Sequence, residues 1–310
     1  MINLVPSNQT KLYGLNKYFN ELVKLYNDDL YPNKILLSGQ KGVGKSTLAY
    51  HFINYVLTLD NEYKYDTKNF NINTNSSEFK TIQNKSNTNL IIIDVDLEKK
   101  FIDINQIREL IINLNKSSFN NKPRFVLIDN IELLNINSIN ALLKILEEPN
   151  KNINFILIHN NKKILHTLLS RCINFKINLS NNECLKISNK LLDNDLNNLV
   201  NKEFVDYYFT PGQIYNLVQF SLQNNYDLSD IDLKTFLKIL IKDGHYKKNN
   251  FIYNIMHNLI ELYFRKLNLS YSELINEKYR YFIKKIADTN IYNLDRESLF
   301  IEFNDEILDA

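Results

Sequence analysis

The sequence predicts an α/β protein: a parallel sheet covered by helices, followed by a C-terminal part that is helical throughout. Three observations predict this. Short, almost wholly apolar segments alternate with helical ones from residue 34 to about 177, as in a parallel sheet buried on both faces. Between the first such segment and the next helix lies the glycine-bearing run Gly39-Gln40-Lys41-Gly42-Val43-Gly44-Lys45-Ser46-Thr47. From about residue 180 onward the apolar residues fall at i, i+3, i+4 spacing, and no strand of comparable quality appears.

The elements follow in order. Residues 15–30 (LNKYFNELVKLYNDDL) read as an amphipathic helix, and Tyr31-Pro32-Asn33 turns the chain into the strand Lys34 to Ser38. A helix spans 45–58. Residues 60–89 are rich in Asn, Lys, Thr and Ser and lack any period, so they read as a surface insertion or long loop. Leu90 to Asp94 is a strand, 105–114 a helix, and Pro123 to Asp129 the next strand. A helix over 136–147 is stopped by Pro149. Ile153 to His159 is an apolar strand, and Cys172 to Ile177 a last short one. Helical patterns then occupy 183–193, 212–223, 232–243, 250–267 and 278–288. The organisation implied is a nucleotide-type domain over 1–179, a small helical module over 180–222 and a second over 223–310.

Composition narrows the function classes. A chain of 310 residues suggests two to three domains. Lys plus Arg (37) nearly balances Asp plus Glu (35), which argues against a strong nucleic-acid or membrane-surface field. Two cysteines, Cys172 and Cys184, form neither a C-x-x-C metal site nor a disulfide framework, so a reduced, cytoplasmic setting is expected. The first residues lack the order of a signal peptide, and no apolar run has membrane-span length.

The glycine run fits G-x-x-x-x-G-K-[ST] through Gly39, Gly44, Lys45 and Ser46, with strand before it and helix after. Three of the six glycines fall in it (Gly39, Gly42, Gly44), which makes a chance match implausible. In such a loop the backbone N–H groups, together with the positive end of the new helix, cradle phosphates. Lys45 would neutralise phosphate oxygens, and the Ser46 hydroxyl would complete a Mg²⁺ shell. Asp129, ending the strand RFVLID, is placed to hold that Mg²⁺ through water or, alternatively, to cap the segment that follows. Asn130 comes next. An amide orients water but is a negligible base, so hydrolysis should be crippled.

Several stretches together carry a resemblance: LYGLNKYFNEL (12–22), the glycine loop, LIDNIELLNINSINALLKILEEP (127–149), HNNKKILHTLLSRCINF (159–175) and, more weakly, TPGQIYNLVQF (210–220). The chain resembles the clamp-loader branch of AAA+ proteins, and within it the δ′-subunit family of bacterial DNA polymerase III. NALLKILEEP joined to a downstream SRC is specific to that branch. The resemblance implies a P-loop AAA+ domain, a helical lid and an all-α collar. It implies that Arg171 acts as an arginine finger toward a neighbouring subunit's ATP site, for which a forked, permanently charged guanidinium is suited. His159 and Asn160 fall at the sensor-1 position, Tyr13-Gly14 match the element that lies against adenine, and Val43 and Thr47 complete the nucleotide loop. The arginine of sensor 2 is replaced around Gly212, and the family's four-cysteine zinc module is missing, with 60–89 in its place, so no zinc is expected.

Function follows from this as an expectation. The chain would be a clamp-loader subunit, with possible ATP or ADP and Mg²⁺, donating Arg171 in trans and hydrolysing little itself. Its partners would be δ and γ/τ subunits in a hetero-pentamer, the sliding clamp, and primed DNA through the assembled complex, with no membrane. The alternative is the ATP-hydrolysing γ/τ-like motor of the same loader, which the intact P-loop favours and Asn130 opposes. A stand-alone P-loop kinase or ATPase leaves LEEP and SRC unexplained.

Overall fold

The computed structural model describes residues 4–96, 99–116, 120–147, 152–161, 164–205, 208–268, 273–292 and 294–309. Pro149, the expected stop of the LEEP helix, lies outside the described residues, as do Lys162 and Lys163. The chain divides into two compact units, Met1–Ile187 with Thr210–Gly212, and Ser188–Phe209 with Gln213–Ala310.

The first unit is built on strands β1 (Lys34–Ser38), β2 (Leu90–Ile93), β3 (Arg124–Ile128), β4 (Ile153–His159) and β5 (Ile173–Lys176). All neighbours pair in parallel, in the order β2-β3-β4-β1-β5. The helices α1 (Asn16–Asn27), α2 (Lys45–Leu57), α3 (Ser77–Gln83), α4 (Ile104–Leu114), α5 (Ile136–Glu147), α6 (His166–Leu169) and α7 (Asn181–Leu192) follow the chain order, and the unit boundary falls within α7. Alternation along each strand assigns its two faces. Val126, Ile128, Phe155 and Leu157 share a buried cluster with Ile107 and Leu110 of α4 and with Leu142 and Leu146 of α5. Phe125, one residue out of phase, meets Phe52 of α2 edge-on at 6.2 Å. Both faces are therefore covered, which is why β1, β3 and β4 could be almost wholly apolar. The edge strand β5 is the exception, with Ile173 56% exposed.

The stretch 60–89, expected as a surface insertion or long loop, carries order of its own. It contains α3, and Tyr65, Ile72, Phe79 and Ile82 are buried. Asp66 and Asn71 exchange backbone hydrogen bonds of 2.9 and 3.0 Å across a tight turn, whose N–H groups at Lys68 and Asn69 donate to the Asp66 carboxylate. Tyr65 stacks on Phe19 of α1 with ring centroids 4.9 Å apart. Lys122 donates to Leu57 O, Asn61 Oδ1 and Glu78 Oε1 at 2.9, 3.1 and 2.7 Å, tying α3 to the end of α2. Four apolar side chains hold an otherwise polar segment.

The second unit holds α8 (Lys202–Val205), α9 (Pro211–Gln223, whose first two residues belong to the first unit), α10 (Leu233–Lys242), α11 (His245–Lys248), α12 (Asn250–Asn268), α13 (Glu273–Tyr292) and α14 (Arg296–Phe303). Phe264, Phe282 and Phe303 form a triad with centroids 5.4 to 5.9 Å apart. Position 222/223 lies inside this unit, where Phe236 packs on Phe204 and Phe220 at 5.6 and 6.5 Å. No described helix is long and apolar enough to cross a membrane.

Helix α2 is buried almost all round, including its polar His51 and Asn54. The His51 Nε2–H donates to Gln9 O at 3.1 Å, which leaves Nδ1 to accept from the Tyr65 hydroxyl at 2.8 Å. Burial pushes the His51 pKa down to about 4, against the pull of the Gln9 carbonyl. Below pH 6.5 the unfolded chain takes up a proton that the folded chain refuses until about pH 4. The stability His51 contributes is thus complete above 6.5 and lost as the pH falls toward 4, on the order of 3 kcal/mol. Thermal unfolding of the wild type should therefore weaken between pH 6.5 and 4.5 more steeply than that of His51→Asn; parallel profiles would show that His51 is not held neutral.

Candidate functional site

Strand β1 places Gly39 at its end, where Gly39 N–H donates to His159 O of β4 at 3.2 Å. A Cβ at Gly39 would stand 2.4 Å from Ile177 O, so no other residue fits without moving the backbone. Gly44 takes φ +94° as it caps α2, a conformation costly for residues with a side chain. Between them Gly42 turns the loop and Val43 is buried. Lys45 opens α2 and is 3% exposed, its amine donating to Gly39 O and Gln40 O at 2.9 and 2.7 Å. Burial lowers its pKa to about 8, opposed by Asp129 and Glu132. Ser46 Oγ donates to Asp129 Oδ2 at 2.5 Å, and Thr47 follows in the same helical turn. Burial also holds the Asp129 carboxyl above the ordinary range, with the Ser46 bond opposing.

The strand ends beside Asp129 carry a continuous polar chain. Asn130 adopts the left-handed conformation (φ 54°, ψ 48°), which Asn tolerates better than most residues. Its Nδ2 donates to Asp94 Oδ1 at 2.7 Å, and its Oδ1 accepts from Asn160 Nδ2 at 2.9 Å. Asn160 Nδ2 also donates to Glu132 Oε1 at 2.9 Å, and its backbone N–H to Glu132 Oε2 at 3.3 Å. Carboxylate, amide, amide and carboxylate thus link the ends of β2, β3 and β4. Asp94 and Glu132 are the members sequence reasoning passed over. Asp94 ends a strand as Asp129 does, a signal that was available. Glu132 had none, because only the turn at Asn130 and the buried Ile131 bring it back to Asn160.

Of the two sensor-1 positions, Asn160 joins this chain, whereas His159 is buried and lends its carbonyl to Gly39. Tyr13 is half-buried, with the Lys11 amine 5.8 Å from its ring centroid. At Gly212, around which the resemblance expects an arginine, the backbone lies directly on the glycine loop. Gly212 N–H donates to Gly42 O at 3.0 Å, and a Cβ there would stand 2.9 Å from Gly42 Cα. Thr210 Oγ1 donates to Lys41 O at 2.9 Å. Arg171 belongs to a different cluster. Its Nη2 pairs with Glu147 Oε1 at 2.6 Å and its Nη1 donates to Thr167 O at 2.8 Å, so the SRC and LEEP stretches touch through one ion pair. Neighbouring Cys172 has its thiol pushed up to about 11 by burial, an inert core position.

The donor set fits Mg²⁺. A hydroxyl and a carboxylate oxygen meet beside the loop, both hard ligands of the kind Mg²⁺ takes alongside phosphate and water. The buried cation of Lys45 and the N–H groups of the loop supply the complementary charge for phosphates. Chemically the arrangement can hold a phosphate chain. A carboxylate free to take a proton is absent at position 130.

The family model described as DNA polymerase III, delta subunit, matches residues 14–181. DNA polymerase III subunit gamma/tau of Mycoplasma genitalium is 31% identical over 204 residues, 64% of this chain and 31% of that protein. DNA polymerase III subunit delta' of Buchnera aphidicola subsp. Schizaphis graminum is 25% identical over 282 residues, 84% of this chain and 82% of that protein. The chain therefore spans less than a third of the gamma/tau relative and most of the delta' one. A gamma subunit-related protein of Thermotoga maritima superposes with TM-score 0.44 at 17% identity, over 90% of this chain and 96% of that chain. A family match running over more than half of its 310 residues makes this chain a member of the DNA polymerase III delta-subunit family.

Proposed function

We propose that the chain is a δ′-type subunit of the DNA polymerase III clamp loader, one that holds a magnesium nucleotide, hydrolyses little of it, and lends Arg171 to a neighbouring ATP site. The observation that carries this reading is Asn130. Its amide stands where a base would be needed, and both of its arms are committed, to Asp94 and to Asn160. Lys45 would exchange its bonds to Gly39 O and Gln40 O for phosphate oxygens, and Ser46 with Asp129 would hold Mg²⁺. Bound there, Mg²⁺ supplies charge neutralisation across the phosphates. Tyr13 would lie against the base and Asn160 would orient toward the terminal phosphate.

The partners in this reading are δ and γ/τ subunits of a hetero-pentamer, the sliding clamp, and primed DNA met through the assembled complex. Contacts to DNA would be to phosphates and hence salt-sensitive. The helices from about 223 to 310 would act as the collar and those over 180–222 as the lid. The competing reading, a γ/τ-like motor, is favoured by the intact Lys45, Ser46 and Asp129 and by the Glu132 carboxylate on Asn160. ATP turnover by the purified chain separates the two, since motor-like rates would replace the δ′-type assignment.

Calorimetry should detect Mg-ADP or Mg-ATP binding that is lost in Lys45→Ala. Phosphate favours charged Lys45, so the free protein deprotonates first as the pH rises. Affinity should be flat below pH 8 and fall up to about tenfold per pH unit above it; a flat profile to pH 9.5 would place the amine elsewhere. Asn130→Glu should not restore turnover. It sets another carboxylate beside Asp94, Asp129 and Glu132 in a left-handed position that suits Asn better, and a hydrolysing variant would refute this. In a reconstituted loader, Arg171→Ala should assemble normally yet lower DNA-stimulated ATPase, the site it serves losing roughly 10³–10⁵ in turnover. Arg171→Lys should rescue poorly. Unchanged ATPase would remove the finger role.

A further inference from the structure

The glycine loop has a wall that is not part of the sheet. Leu15 Cδ1 lies 3.1 Å from where a Cβ would stand on Gly44, so the segment leading to α1 packs directly on the loop. Just before it come Tyr13 and Gly14. Gly14 takes φ +71° against Ile187, which would meet a Cβ at 2.3 Å. This segment belongs to no strand. What holds it is the turn within the stretch 60–89. Leu12 N–H donates to Phe70 O at 3.0 Å, and Ile72 N–H to Thr10 O at 2.7 Å, an antiparallel pairing centred on Lys11 and Asn71.

A second tie lies underneath. His51 is fully buried and bridges the two segments, one ring nitrogen on Gln9 O and the other on the Tyr65 hydroxyl. Tyr65 is fixed in turn by its stack on Phe19 and by its backbone N–H, which donates to Thr58 Oγ1 at 3.2 Å. The turn, α2 and the Gln9–Leu15 segment are therefore one hydrogen-bonded assembly, and α2 is the helix that begins at the phosphate loop.

We propose that the turn over residues 65–72 is a positioning strap for the base of a bound nucleotide: by fixing residues 9–12 it sets where the Tyr13 ring stands relative to the glycine loop, and so how tightly the site takes a nucleotide as opposed to a bare phosphate chain. The proposal rests on the nucleotide reading above. Tyr65 acts through His51 and the backbone, as a positioning residue. The polar composition of 60–89 is then that of a strap whose few buried residues face inward.

The test compares two probes on the full chain, Mg-ATP and magnesium tripolyphosphate, which shares the phosphates and lacks the base. Tyr65→Phe keeps the ring stack and removes only the hydroxyl. It should bind Mg-ATP roughly two- to tenfold more weakly, with tripolyphosphate affinity unchanged. Equal losses for both probes, or no loss for either, would overturn the strap and leave the turn a purely structural element. Amide exchange on the wild type gives the same answer should the variant fail to fold. Mg-ATP should slow exchange at Leu12 and Ile72, because coupling between strap and base is reciprocal, and tripolyphosphate should not. Unchanged exchange at both amides with Mg-ATP bound would refute the proposal. A wild type that binds neither probe would overturn the nucleotide reading itself, and the strap's role with it.

Discussion

The constraint on which the site depends is the position of β1 between β4 and β5. Parallel strands deliver all their C-terminal ends to one edge, and this order sets Gly39 against His159, with Asp129 one strand further and Asp94 beyond that. Nothing in the sequence neighbourhood of Lys45 brings it near Asp129, 84 positions away. The register does. Ser38 pairs with His159 and Ile128 with Leu157, so the loop leaving β1 arrives level with the turn leaving β3, where Ser46 can hydrogen-bond Asp129. The buried faces of those strands are therefore the scaffold of the chemistry as well as of the fold.

Charge at this edge is unbalanced. Asp94, Asp129 and Glu132 stand near the buried amine of Lys45; burial penalises the charge of Asp129, whereas Glu132 is half-buried and Asp94 exposed. Two amides supply donors to the other two acids. Asn130 and Asn160 each donate to a carboxylate and join each other, so Asp94 and Glu132 are satisfied without a second cation. Asp129 takes the Ser46 hydroxyl and the Asn130 backbone N–H. A site organised this way would accept an added cation in the proposed function, and it has no base at 130 to exploit it. An amide at that position is consequently a structural member of the network, which is a different matter from a carboxylate merely deleted.

How much of this was legible in the sequence depended on how local the cause was. The glycine loop, the apolar strands and the strand-end Asp129 are short-range patterns, and each stands where its spacing puts it. The start of α4 has a local cause too, the Asp103 side chain accepting from the Asn105 and Gln106 N–H groups, but the spacing alone gave the helix and not its cap. The stretch 60–89 was not legible, because its order comes from four buried residues too sparse to set a period, and from partners as distant as Gln9 and Phe19. Glu132 was hidden for a related reason: its place is decided by a single left-handed residue, which no periodicity announces. The two motifs that carried the family resemblance, LEEP and SRC, gave no hint in sequence that Glu147 and Arg171 would be paired.

That pairing bears on the proposed donation of Arg171 to a neighbouring site. A lone guanidinium on a surface samples many rotamers, and ordering it on contact costs conformational entropy. Glu147 Oε1 and Thr167 O hold two of its nitrogens at 2.6 and 2.8 Å, both from the same region of the first unit, α5 and α6. The contact is solvent-accessible, with the carboxylate 53% exposed, so it contributes little to folding while still restricting the fork. An exposed ion pair of this kind is weak enough to be exchanged for phosphate oxygens and directional enough to present the guanidinium in one orientation. The glycine loop is built the same way, with Lys45 resting on two carbonyls that a phosphate would replace in the proposed function. In both places the cation rests on neutral or exposed acceptors, which under the proposed function phosphate oxygens would displace without unmaking a buried charge pair.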